Sequence, residues 1–451
     1  IMAHFLGTPR AFSHSWKSLS VTLIPLLSQA QNAKNPILTY SSSIRSFSSN
    51  NSSTDSAHHS ELIDRLCAKR MTSVSLNTLM DTGRGNLLTR HTSFSEEDLP
   101  KDASKIGTAA TEKILRQVAN FLHRELPIRF AHRIRDLENV PMMKDQASVK
   151  QVKEWYTMSM LELVAADKIL TNESEAKFAS LLENIYERHA GVLVTMARGA
   201  YELRDAVTKG KYGEHGKADF DEMQHMHEFL DRFYMSRIGI RVLIGQYLCL
   251  RQPPEQNFVG MINNKVSPAV IVQQAIDDAT YMCERKYGEA PEVIIRRNNK
   301  EVTFSYVPAH IHYIMLELIK NAMRATVEFH GDDEDYPPIK VVIADSEENE
   351  DVVIKVSDEG GGIKRSNIPK IWSYLFTTAD PAIQEGMVAF ENQDHSIDSP
   401  LAGLGYGLPI SRAYARFFGG DLSVMSMEGS GTDVFLHLNR IGNSTEPLPV
   451  N

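Results

Sequence analysis

Cysteine is scarce in this chain: Cys67, Cys249 and Cys283 are widely separated among 451 residues. Three scattered thiols build neither an even disulfide framework nor a zinc knuckle, so they read as small buried apolar residues. Also missing is any unbroken apolar run of roughly 18 residues, the length that a membrane-spanning helix requires. No membrane span is expected. The phosphate-loop pattern G-x-x-x-x-G-K-S/T is absent, and the Met and His residues from Met223 to His227 do not form the zinc motif H-E-x-x-H. Positive charge is in deficit, with 48 basic against 57 acidic residues and a formal charge of −9, which excludes a typical nucleic-acid protein. No internal repeat is visible.

Acidic residues are absent from one region altogether. Residues 1–54 hold Arg10, Lys17, Lys34 and Arg45 but no Asp or Glu, and serine dominates from Ser41 to Ser53. Basic, serine-rich, acid-free composition with a short apolar run, Val21 to Leu27, is the pattern of an organellar transit peptide rather than a merely disordered tail, with cleavage expected near Arg45 to Ser49, and arginine ahead of that cut favours the mitochondrion over the plastid. Losing those four cations takes the formal charge from −9 to −13.

What the remainder contains falls into two textures. Up to residue 250, strand signals are few and apolar residues recur with helical spacing. Helices are expected near Ile106–Arg124, Ser148–Ala166, Glu173–Thr208 and Glu222–Leu250, with joints such as Asn139–Asp145, and helices of this length suggest an antiparallel bundle. The joint Arg251–Gln256, R-Q-P-P-E-Q, breaks the pattern because neither proline continues a helix. Beyond it, a helix at Ser267–Tyr287 leads into mixed structure. Strands are expected at Glu292–Arg296, Val302–Val307, Ile339–Ala344, Val352–Ser357, Leu422–Met427 and Val434–Leu438, and helices at Ala309–Phe329 and Pro409–Phe418. Turns at Asp345–Asp351 and Glu428–Gly431 join strands into hairpins, so the second half reads as a helix layer on a mostly antiparallel sheet. Thr377–Ala402 has no periodicity and is long enough to be a functional lid or a disordered segment.

Four clusters in this second half point to chemistry. The first is E-L-I-K-N-A-M-R-A from Glu317, which sets Glu317, Asn321 and Arg324 at i, i+4 and i+7 on one helix face. A carboxylate, a carboxamide and a guanidinium in a row can serve as proton acceptor, metal ligand and phosphate clamp, although alone the same triplet fits a solvated stripe. The second is V-V-I-K-V-S-D-E-G-G-G, which places Asp358 just past a buried strand, ahead of Gly360, Gly361 and Gly362. That carboxylate can accept a hydrogen bond from an exocyclic amine while the glycines let a flat ring approach the backbone. The third, Gly403-Leu404-Gly405-Tyr406-Gly407-Leu408-Pro409, runs into a helix, where freed backbone N–H groups make an anion site suited to phosphates. It is not the dinucleotide fingerprint, which needs a glycine at Leu408. The fourth, Gly429-Ser430-Gly431-Thr432, lies in the last hairpin, where the Thr432 hydroxyl can reach a ring nitrogen.

In this order and spacing, the clusters resemble the ATP site shared by gyrase, heat-shock chaperones, histidine kinases and MutL proteins, the GHKL superfamily. A closer resemblance covers nearly all of the chain after the leader. R-E-L-P-I-R-F-A-H-R-I from Arg124, F-L-D-R-F-Y-M-S-R-I-G-I-R from Phe229, E-L-I-K-N-A-M-R-A-T-V-E from Glu317 and P-L-A-G-L-G-Y-G-L-P-I-S-R from Pro400 are similar to the mitochondrial 2-oxoacid dehydrogenase kinases. The resemblance implies an α+β fold: a four-helix bundle over residues 55–250, with regulatory and lipoyl-docking roles, then a GHKL-type α/β sandwich (Bergerat) ATP-binding domain over 251–442. Residues 1–54 are the leader in this division, and 443–451 a short tail.

The same resemblance implies the roles of individual residues. Glu317 is the expected general base toward a protein serine, Asn321 the expected Mg²⁺ ligand, and Arg324 a neighbour of the nucleotide phosphates. Lys320 belongs to the same motif, but its spacing turns it partly away. Asp358, with Gly360 and Gly362, is expected at adenine, Thr377 and Thr378 at the nucleotide, Gly403 through Leu408 around the phosphates and Thr432 at the adenine end. His189, in R-H-A-G-V where the family more often shows R-H-N-D-V, is a candidate catalytic helper or a satisfied histidine. Tyr313 stands one turn before the base, where many pyruvate-directed members carry histidine.

The implied activity is Mg²⁺–ATP-dependent serine phosphorylation of the decarboxylase component of a 2-oxoacid dehydrogenase complex in the mitochondrial matrix. Implied partners are the lipoyl domain of the acyltransferase core and a second copy of the chain, without nucleic acid. R-I-G-N-S-T-E-P-L-P from Arg440 resembles the ending of plant-type pyruvate dehydrogenase kinases, lacking the Asp-Trp tail of animal members, whereas Tyr313 fits the branched-chain kinases. Histidine autokinase chemistry needs a phospho-acceptor histidine motif at a suitable distance before Glu317, and none is found. An ATP-driven clamp typically adds a large C-terminal dimerisation domain.

Overall fold

Helical periodicity governs the first half of the chain and two-residue alternation much of the second, and the architecture follows that division. The computed structural model describes residues 52–85, 108–212, 220–297, 302–331, 335–344, 351–378 and 403–448. Residues 1–51 of the leader and most of Thr377–Ala402 lie outside the described residues. Contacts divide the chain into two units, residues 1–62 with 394–400 and all the rest. Of the first unit, only the opening turns of helix α1 (Ser52–Cys67) are described.

In the second unit the helical half comprises α2 (Leu76–Gly83), α3 (Thr108–Asn139), α4 (Ala147–Ala165), α5 (Asn172–Arg188), α6 (Val192–Thr208) and α7 (Gln224–Leu250). Helix α3 continues well past the expected end at Arg124, straight across Pro127. Proline removes one backbone hydrogen bond. The stripe Leu122, Leu126, Phe130, Ile134 and Leu137, each no more than 1% exposed, holds the helix together by burial instead. The expected helix Glu173–Thr208 is two helices. Thr171 caps the first through a reciprocal capping box with Ser174, and the chain breaks at His189–Gly191, where hydrogen bonds tighten to Ala190 N–Glu187 O and Val192 N–His189 O.

The joint Arg251–Gln256 carries neither helix nor strand. After it come β1 (Phe258–Val259), β2 (Ile262–Val266), α8 (Pro268–Tyr287), β3 (Val293–Arg297), β4 (Phe304–Tyr306), α9 (Pro308–His330), β5 (Ile339–Ala344), β6 (Asp351–Asp358), α10 (Gly407–Phe417), β7 (Asp421–Met427) and β8 (Gly431–Asn439). A proline starts both α8 and α9 and a positive-φ glycine follows each, Gly288 and Gly331, a placement that suits the fixed φ of one and the freedom of the other. The main sheet has the order β3-β5-β6-β8-β7, antiparallel except for the β3–β5 pair. In the small sheet β1-β2-β4, β4 lies within the expected strand Val302–Val307, whereas β1 and β2 escape the sequence pattern because β1 spans two residues and β2 is broken by an irregular register. Helices α8 and α9 pack together, α9 lies on β6, and α7 packs both on α3 within the bundle and on α10.

The chain end returns to the helical half. Thr445 bridges Ser75, and the Glu446 carboxylate takes two 2.7 Å hydrogen bonds from the Arg129 guanidinium, whose Nε also donates to Glu125 at 3.0 Å. All three charged groups are almost fully buried. Gly239, inside α7, makes the room: a Cβ there would stand 2.1 Å from Glu446 Oε1. What the sequence presents as a short separate tail is therefore built into the bundle at a buried, fully paired charge. No helix among the described residues is long and apolar enough to cross a membrane.

Candidate functional site

Helix α9 carries the polar row inward. Its apolar residues Ile311, Ile314, Met315, Leu318, Ile319, Ala322 and Met323 are buried, and that packing fixes where Glu317, Asn321 and Arg324 project. Glu317 is only 3% exposed, Arg324 is half-buried, and Asn321 is open to solvent. Lys320 does not turn away: its Nζ donates to Glu317 Oε1 at 2.7 Å, so the i+3 neighbour neutralises a buried carboxylate.

The glycine loop closes over this row. Gly407 is the first residue of α10, and a Cβ on it would lie 2.6 Å from Glu317 Oε2 and 3.9 Å from Asn321 Nδ2. The glycine thus lets the Glu317 carboxylate sit against a helix N-terminus, where the peptide dipoles favour negative charge. Gly403 and Gly405 take φ of +76° and +80°, and a Cβ on Gly405 would collide with Phe376 O at 2.5 Å. Leu404 and Tyr406 are buried, which leaves the backbone of residues 403–408, rather than those side chains, to face a ligand. Leu408 is half-buried.

From the other side, Arg324 Nη2 donates to Thr378 Oγ1 at 2.7 Å and its Nε pairs with Glu328 at 3.4 Å. Thr377, half-buried, precedes it. The structure thereby joins the helix motif to the Thr-Thr pair, 54 residues apart in sequence.

Asp358 ends β6 opposite Thr432 in the β6–β8 register. Its Oδ1 accepts from Gly360 N at 3.0 Å and Thr432 N at 3.3 Å, leaving Oδ2 for an amine donor. Burial pushes its carboxyl above the usual range, and the two backbone donors pull it back. The glycines beside it answer first to packing: a Cβ on Gly360 would meet the Ala325 backbone carbon at 2.6 Å, and one on Gly362 would meet Met427 O at 2.1 Å. Thr432 Oγ1 lies 3.0 Å from Ser426 Oγ, which accepts from Ile363 N at 2.7 Å. Sequence reading missed Ser426. Its signal was present, since Ser426 and Thr432 face each other across the hairpin.

His189 is not brought to this group. It caps the end of α5, with Nε2 2.9 Å from Ser159 Oγ and 3.5 Å from Trp155 O, and its ring packs on Phe130 and Tyr156. All of these are bundle residues, and burial lowers its pKa to about 3, which keeps it neutral. Of the two roles expected for His189, these surroundings support the satisfied histidine. Tyr313, one turn before Glu317, buries its hydroxyl with no hydrogen-bond partner among the described residues and packs its ring 5.1 Å from that of Tyr414. No group of His, Cys, Asp and Glu among the described residues could by itself hold a metal ion.

Comparison with known proteins matches two successive parts of the chain. A family model described as mitochondrial branched-chain alpha-ketoacid dehydrogenase kinase matches residues 73–263, and one described as histidine kinase-, DNA gyrase B-, and HSP90-like ATPase matches residues 306–441. The chain is 44% identical over 348 residues to the mitochondrial pyruvate dehydrogenase (acetyl-transferring) kinase of Arabidopsis thaliana, covering 76% of this chain and 90% of that protein. It is 38% identical over 410 residues to the protein of the same name from Schizosaccharomyces pombe, covering 76% and 92%. Isozyme 4 of Homo sapiens is 35% identical over 342 residues, covering 73% and 78%.

Proposed function

Because the chain belongs to the family of mitochondrial pyruvate dehydrogenase (acetyl-transferring) kinases, we propose that it phosphorylates serine residues on the decarboxylase component of the pyruvate dehydrogenase complex in the mitochondrial matrix and switches that complex off. The observation that carries this reading is the seat of Glu317, buried, paired with Lys320 and set against the first residue of α10.

The residues fit Mg²⁺–ATP. Asp358 Oδ2 and the Thr432 hydroxyl suit adenine, and the backbone of residues 403–408 at the start of α10 suits phosphates. The exposed Asn321 carboxamide offers one oxygen to a small hard cation that keeps most of its waters. Held there, Mg²⁺ would supply charge neutralisation at the phosphates. Glu317 takes the proton of the serine hydroxyl as that oxygen bonds to the γ-phosphorus and the bond to the ADP oxygen breaks. Arg324, held by Thr378, and Lys320 offset the phosphate charge. Lipoyl domains of the acyltransferase core dock on the helical half in this reading. A second copy pairs through the sheet, whose edge strand β7 exposes Met425 and Met427.

A branched-chain target is the second reading, favoured by the family match over residues 73–263. The test incubates the protein with labelled ATP and each purified dehydrogenase complex. Label on the pyruvate-specific decarboxylase component supports the proposal, label on the branched-chain component alone moves the target, and label on neither sinks the kinase reading. Glu317→Gln is expected to bind ATP normally and to lose at least about 100-fold in transfer rate; full activity would remove Glu317 from the role of base.

A further inference from the structure

We infer that Asp231 and His227, two residues of the helical half, are positioning residues for nucleotide binding, because together they hold Tyr374 at the root of the stretch that carries Thr378. The inference rests on reading residues 317–324 and 403–408 as the ATP site. It gives a role to the motif L-D-R-F-Y in α7, which no step of the phosphoryl transfer uses.

Tyr374 is 0% exposed, and both of its polar ends are tied to α7. Its hydroxyl donates to Asp231 Oδ1 at 2.7 Å and its backbone N–H donates to His227 Nδ1 at 3.2 Å, with the imidazole stacked over the phenol ring at 15°. The ring also packs on Tyr234 of the same helix, at 5.4 Å, and on Tyr406 of the glycine loop, at 5.2 Å. The next residue, Leu375, is in the left-handed region at φ +66°, a conformation that a branched side chain adopts only where its surroundings enforce it. Here the enforcement comes from both sides. The clamped Tyr374 precedes it, and Gly405 follows in space, so close that a Cβ would stand 2.6 Å from the Leu375 carbonyl carbon.

Three residues further on, Thr378 accepts from Arg324. The bundle thus sets Tyr374, the enforced turn sets the course of residues 375–378, and that course seats both the glycine loop and the cation of α9. Removing the Tyr374 anchor leaves Leu375 without one of the two constraints that hold its strained backbone. Relaxation then shifts the peptide on which Gly405 rests and loosens the Thr378–Arg324 bond. Ground-state nucleotide binding is expected to weaken more than the transfer step.

Mg-ATP affinity measured by titration calorimetry on Tyr374→Phe, Asp231→Leu and Asp231→Asn tests this. The first two each break the hydroxyl–carboxylate bond and are expected to weaken binding about tenfold, with the ATP KM raised to match and kcat within about threefold of the parent. Asp231→Asn keeps an acceptor oxygen and is expected to recover most of the affinity. Thermal midpoints of Tyr374→Phe and the parent are expected to agree within a few degrees. Parent-like affinity in both Tyr374→Phe and Asp231→Leu overturns the inference. So does an affinity loss that only tracks a fall in thermal midpoint, which marks the pair as structural. If the parent binds Mg-ATP but labels no dehydrogenase component, the kinase reading fails while the affinity ratios still judge this inference. A parent that binds no nucleotide overturns both.

Discussion

Two buried glutamates sit against glycines in this molecule, Glu446 at Gly239 and Glu317 at Gly407, and their surroundings differ. Glu446, near the chain end, presses on Gly239 of α7 and is gripped by both terminal nitrogens of Arg129, which Glu125 also pairs. Glu317 presses on Gly407 of α10, but its cation is Lys320, one turn along the same helix, and the neighbouring Asn321 faces solvent. A bidentate guanidinium in a closed core fixes a carboxylate in place. A flexible ammonium beside an open face leaves the other less constrained, which suits the role proposed for Glu317.

The comparison is broken most decisively at the first pair. Glu446→Ala strips the buried Arg129 of its bidentate carboxylate and leaves it only Glu125 and the Thr72 carbonyl, and is expected to cost about 3 kcal/mol in urea unfolding. The triple replacement Glu125→Gln, Arg129→Met and Glu446→Leu is expected to recover most of that, because all three desolvated charges then disappear while the amide keeps an acceptor for Thr72 N. The counterpart at the second pair is Gly407→Ala. Its Cβ displaces the Glu317 carboxylate, so transfer activity is expected to fall about 100-fold while the thermal midpoint holds, since alanine suits a helix better than glycine. Loss of stability with activity intact would show that Glu317, like Glu446, is structural.

Each half also contains a histidine that burial keeps neutral: His189 in the bundle and His310 at the start of α9, both with pKa lowered to about 3. The unfolded chain takes up these protons near pH 6.5 and the folded one does not, so their contribution to stability is complete above 6.5 and is lost as pH falls toward 3. Between pH 7 and 5, each is expected to cost about 2 kcal/mol. Urea midpoints at the two pH values for His189→Gln and His310→Gln measure it, and an unchanged pH response in either variant would remove that histidine from the account. The smallest effect is expected from Thr378→Val, which removes the acceptor for Arg324 and weakens Mg-ATP binding by a factor of about five. Equal binding would mean that Arg324 is held by Glu328 alone.

How much of this was legible in sequence depended on whether the signal was local. The strand Ile339–Ala344 matches its expected bounds because it is a short run dominated by β-branched residues, and burial alternates along it. The break at His189–Gly191 was missed because nothing in R-H-A-G-V forbids a helix; the turn there seats His189 among Ser159, Phe130 and Tyr156. The opposite error at Pro127 had the same cause, since proline argues locally against a helix that distant contacts preserve. At the site, Glu317, Asn321 and Arg324 were readable because one helix carries all three. Thr378 reaching Arg324, Ser426 reaching Thr432 and Asp231 reaching Tyr374 involve pairs from separate elements, and helix spacing says nothing about them.

The sequence by itself determined the helical and sheet halves, the order of the four clusters and the row of Glu317, Asn321 and Arg324, because periodicity and short-range spacing encode those directly. Only the tertiary structure decided which of the polar residues act together. It sent His189 to the bundle core, drew Glu446 back to Arg129 and tied Tyr374 to α7. Each of those outcomes depends on what a neighbouring element brings within about 3 Å, the range over which a hydrogen bond or ion pair forms.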